Sequence, residues 1–84
     1  MSNLDYLNFS TDLKRIALWL VDGDELLAKK FIEINQKRFG GDIEEVGKIK
    51  INEWLKRISS YEDRGWKSAE DALTLSVLLK NRFA

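Results

Sequence analysis

The sequence contains no cysteine, no histidine and no proline. Without cysteine there are no disulfides and no thiolate sites. Without cysteine and histidine together, the usual zinc ligand sets and a histidine-based triad are excluded. No side chain is left whose unperturbed pKa lies near neutrality. The lack of proline removes the strongest helix breaker, so long uninterrupted helices are easy to build. Long apolar runs are missing too. The longest before a charge, Ile16 to Val21, falls far short of the about 20 residues of a membrane span. The opening residues, MSNLDYLNFSTD, lack the basic-then-apolar pattern of a signal peptide. A soluble cytoplasmic chain is the expectation.

An excess of charge of either sign is also absent. Fourteen basic residues balance fourteen acidic ones, and the two halves are nearly even, with six basic and seven acidic before Ile43 and eight and seven after. That removes the electrostatic footprint usual for a nucleic-acid binder.

What remains is a chain of 84 residues, 44% hydrophobic and 33% charged. It is long enough for one folded domain, residues 1–84, with a modest core. The spacing of apolar residues predicts four helices, at about 3–21, 24–39, 43–61 and 68–83. Ser2 and Asp5 have capping-box spacing. Tyr6, Phe9, Leu13, Ile16, Ala17 and Leu20 then share a helical face. Ser10 and Thr11 mark a candidate break and restart. Gly23 closes this helix. In the second, Leu27, Ala28, Phe31, Ile34 and Phe39 mark the buried side, and Gly40-Gly41 ends it. Asp42 caps the third, with Glu44 and Glu45 at its positive end. Ile43, Val46, Ile51, Trp54, Ile58 and Tyr61 form its inner face, and Gly47 on that face admits a close neighbour. Lys48 to Ile51 alternates like a strand, but no second strand is available to pair with it. Glu62 to Gly65 is a turn, with Trp66 in the loop.

Ser68 is expected to cap the fourth helix, with Asp71 three residues on. Phe83, Leu79, Ser76, Ala72, Leu73 and Ala69 share its main face. Leu75 and Val77 widen that face beyond the usual amphipathic stripe. Short connections imply antiparallel neighbours, so the expected fold is all-α, a small antiparallel four-helix bundle.

Candidate chemistry is sparse. Asp22, Asp24 and Glu25 stop short of an EF-hand loop and read as caps, not metal ligands. Glu44 with Glu45, or Glu53 with Glu62, sit among lysines on helix surfaces, where nothing splits two carboxylate pKa values. Gly40-Gly41-Asp42 lacks the Lys-Ser/Thr of a phosphate loop. No enzyme activity, cofactor or metal is expected. The leading expectation is a protein–protein interaction module that self-associates as a homodimer, or binds another protein. The apolar residues left off the main faces are its candidate interface: Leu18, Trp19, Ile49, Leu55, Leu75 and Leu78. Trp19 is the expected anchor, since tryptophan is enriched at interfaces. The alternative is a nucleic-acid-binding regulator. It would use Lys48, Lys50, Lys56, Arg57, Arg64 and Lys67, with Trp54 and Trp66 among them.

Overall fold

Ser2 opens the first helix, α1 (Asn3–Asp22), with a full capping box. The Asp5 N–H donates to Ser2 Oγ at 3.3 Å, and the Ser2 N–H donates to Asp5 Oδ2 at 3.0 Å. These bonds satisfy donors that a helix start otherwise leaves orphaned. The Ser2 backbone N–H, and then its hydroxyl, hold the Asp5 carboxyl below its ordinary 3.8. A carboxyl whose folded pKa is depressed stabilises the fold above the unfolded pKa and loses that effect as pH falls through the folded one. Asp5→Asn should therefore melt below wild type at neutral pH. The two melting curves should converge once pH falls well below 3.8. A gap that persists in acid would assign the effect to something other than this carboxylate.

The computed structural model describes residues 2–39 and 49–84, and in them the chain is all-α. After α1 come α2 (Glu25–Phe39), α3 (Ile51–Ser59), the single turn α4 (Tyr61–Arg64) and α5 (Trp66–Phe83). The expected features at Gly40, Gly41, Asp42, Ile43, Glu44, Glu45, Val46, Gly47 and Lys48 lie outside the described residues, as does the Phe39 side chain. The expected break in α1 does not occur. Thr11 returns its hydroxyl to the Leu7 carbonyl at 3.2 Å, and Ser10 is buried. Gly23, at φ 81° and ψ 10°, ends the helix as expected; its N–H and that of Asp24 both reach the Trp19 carbonyl. The Gly23 bond is the 5→1 closure of an αL helix end, and the Asp24 bond is the 6→1 closure of a Schellman-type end.

The third predicted helix is divided. Ile49 lies outside any helix, and Lys50, at φ −90° and ψ 84°, is not helical. Helix α3 starts at Ile51, and Ser60 separates it from α4. The last helix also starts earlier than the sequence suggests. Trp66 is its first residue, and Ser68 is not its cap. Ser68 is buried and its hydroxyl donates to the Arg57 carbonyl of α3 at 3.3 Å. The stop before α5 is supplied by Gly65 instead, at φ 56° and ψ −126°. Side chains other than glycine avoid that conformation. A Cβ there would meet nothing within 4 Å, so the cost of adding one is backbone strain alone. Gly65→Ala should lower stability by about 1–3 kcal/mol. A urea titration that leaves the midpoint in place would refute the strained turn.

Helix α1 packs on α2 and α5, and α3 packs on the same two; the α1–α5 pairing is the most extensive. Its register comes from three meetings. Tyr6 stacks on Phe83 with ring centroids 4.4 Å apart. Ser10 meets Ser76, and Leu20 and Val21 share a cleft with Trp66 and Ala69. The two helices therefore run in opposite directions. The serines exchange bonds across the seam: each hydroxyl donates to the other residue's carbonyl at 2.8 Å, with the two Oγ atoms 2.9 Å apart. Such contacts to helical carbonyls need close backbones. Ala17, Ala69 and Ala72, buried on the same two helices, leave room for that approach.

Phe9, Leu13 and Ile16 from α1 join Ala28 and Ile32 from α2, Ile51, Leu55 and Ile58 from α3, and Leu75 and Leu79 from α5 in one buried cluster. Two faces differ from expectation. Helix α2 buries Ala28, Ile32 and Asn35, and leaves Leu27 and Ile34 exposed. Helix α5 buries Leu75 and exposes Leu73. In both, the neighbouring helices dock to one side of the mean apolar direction.

Candidate interaction surface

The six candidate interface residues do not share one environment. Leu55 is 1% exposed and Leu75 0%. Leu55 lies between Ile51 and Ile58 at helical spacing, on the face α3 turns to the core. Leu75 lies on the side of α5 where Ser68 meets α3. Ile49 is also buried. These three are core residues and are closed to any partner. Trp19 is half-buried, its ring edge-on to Phe31 at 4.8 Å, so it ties α1 to α2. Only Leu18, at 61%, and Leu78, at 39%, stand open to solvent.

A different set of side chains is brought together at the outer edge of the α1–α5 seam. Val21 follows Leu18 by three residues on α1, which puts both on one side of that helix. On α5, Trp66, Leu73 and Val77 are spaced by seven and four, within about 40° of one another around the axis. All five are exposed, Trp66 at 68%. Val21 and Trp66 join the two rows, because both line one cleft of about 140 Å³ with Leu20, Glu25, Tyr61 and Ala69. That volume is well below the roughly 300–1,000 Å³ of small-molecule sites. It is sized for a side chain. The strip continues along α5 for about 16 Å from Trp66 to Val77 at 1.5 Å per residue.

The spacing of Trp66, Leu73 and Val77 was present in the sequence. It goes unread there because Trp66 falls in an expected loop and Leu73 on an expected core face. Leu78 lies about 100° around α5 from Val77, off the strip.

A second apolar surface lies on α2. Leu26 and Leu27 on α2 line a shallow groove interrupted by Lys29, Lys30 and Glu33. The basic and aromatic set of the alternative reading is partly engaged within the fold. Arg57 stacks over the Trp54 ring, 4.6 Å from its centroid, and Arg64 pairs with Asp71 of α5. Among the described residues no three acidic side chains stand close enough to hold a metal ion. No helix among them is long and apolar enough to cross a membrane. The chain matches no protein-family model, no curated protein and no solved structure.

Proposed function

We propose that this chain is a non-enzymatic interaction module that self-associates through the outer edge of the α1–α5 seam. The observation that carries the reading is the exposed apolar strip Leu18, Val21, Trp66, Leu73 and Val77, linked across two helices by a shared cleft. Isolated exposed apolar residues are ordinary, but a joined strip marks a surface that is covered in use. Its anchor is Trp66 in place of Trp19: a large aromatic, open to solvent, beside a cleft sized for a side chain. The scaffold of the proposal is the antiparallel four-helix arrangement of α1, α2, α3 and α5, and its location is the cytoplasm. Sedimentation at micromolar concentration is the test. A dimer is expected, and a monomer that persists at millimolar concentration would end the reading.

A further inference from the structure

We infer that the dimer is isologous and locked by a reciprocal pair: Lys14 of each copy enters the partner copy's cleft between Glu25 and Trp66. This rests on the self-association proposed above and specifies its geometry.

The size of the molecule makes the charged flanks matter. A stable interface buries about 800 Å² on each partner. The broadest extents of this chain are 31 × 23 Å, so such an interface takes nearly a whole face. An apolar strip two helices wide does not fill it. The residues bordering the strip must be covered too, and a covered charge without a partner is costly.

Five exposed charges border the strip with no ion pair among the described residues, Lys14, Asp22, Glu25, Glu70 and Lys80; of these, Glu25 lines the cleft and Lys14 is the cation at the seam edge of α1. Lys14 is exposed on α1, seven residues before Val21 and four before Leu18. It lies about 20° from Val21 around the helix and about 10 Å along it. It is also about 40° from Ser10, which touches α5, so it stands at the seam edge. Its neighbour Arg15 is held by Asp12 at 3.7 Å, whereas Lys14 makes no ion pair among the described residues. Glu25 lines the cleft with Tyr61 and Trp66. Among the described residues its carboxylate has no ion pair, and no cation covers the Trp66 ring. A carboxylate beside two aromatic rings over an apolar floor suits an alkylammonium, whose methylenes pack while its charge meets the acid and the ring face.

The occupant follows from symmetry. In an isologous contact, residue i of one copy meets j of the other, and j meets i. A basic residue and an acidic notch about 10 Å apart along the seam, with Leu18 between, satisfy that rule about a two-fold axis near Leu18. With fourteen charges of each sign, two copies carry no net repulsion.

The test is a charge exchange read by sedimentation equilibrium. Lys14→Glu and Glu25→Lys should each weaken dimerisation about tenfold or more, since each change acts at both notches. The double variant Lys14→Glu/Glu25→Lys, with the wild-type net charge, should recover to within about threefold of wild type. Glu25 lies in the first turn of α2, where lysine opposes the helix dipole. Melting temperatures are therefore read alongside, and Glu25→Gln gives a milder second version with a smaller loss. Singles that leave the dimer intact, or a double variant that does not recover, would overturn the lock while leaving self-association standing. A wild-type monomer would remove both.

Discussion

Leu75→Ala should cost about 2–5 kcal/mol of folding stability. Leu75 is fully buried in the cluster that joins α1, α2, α3 and α5. Its removal deletes transfer free energy and leaves a cavity that two packed helices can only partly close. A domain of this size is stable by about 0.05–0.15 kcal/mol per residue, so the loss takes a large share of the total. At about 4–8 °C per kcal/mol, the thermal midpoint should fall by about 8 °C or more. Leu78→Ala, three residues further on and exposed, should stay within about 0.5 kcal/mol of wild type. The contrast decides between core and interface. An interface residue would leave the monomer's melt alone and change only the dimer. Equal melting curves for the two variants would return Leu75 to the surface and reverse the rotation of α5.

How much of this was legible in the sequence depends on how local the cause is. The Ser2–Asp5 box and the Gly23 stop involve residues within three to five positions, and both read correctly. The inner face of α1 also read correctly, because Tyr6, Phe9, Leu13 and Ile16 leave a single choice of side. Helix α2 did not allow that. Its larger apolar residues Leu27 and Ile34 lie about 140° and about 160° from Ile32, so two faces compete. The one beside Ala28 is buried, and with it Asn35, whose amide donates to the Phe31 carbonyl at 2.8 Å. On α5 the true face is turned by roughly 40° from the apolar mean, because α3 lies on the Leu75 side. Ser10 and Ser68 looked like local caps and turned out to be cross-helix donors. A hydroxyl offers the same chemistry to its own backbone and to a neighbour's. Only the neighbour's position decides between them. The site suffered from the same gap: once Trp66 is helical and Leu73 is outside, the strip appears, and neither fact is local.

Trp66→Glu should convert the dimer to monomer and leave the melt of the monomer, read at dilution, little changed. Truncating a central aromatic at an interface costs about 2 kcal/mol or more. An isologous dimer loses it twice, which is about a thousandfold in the dissociation constant. A carboxylate placed beside Glu25 adds repulsion in the covered cleft. The monomer is spared because Trp66 is 68% exposed and its ring contributes little to the core. Trp19→Glu would not separate these effects, since Trp19 packs on Phe31 and its loss disturbs the fold itself. The control is Leu4→Glu. Leu4 is 65% exposed, as open as Trp66, but it lies about 21 Å from Leu18 along α1. General hydrophobic stickiness would make the two substitutions equally disruptive. A shaped interface on the α1–α5 edge makes Trp66→Glu monomeric and leaves Leu4→Glu a dimer, and Leu73→Glu should follow Trp66→Glu because it continues the same row.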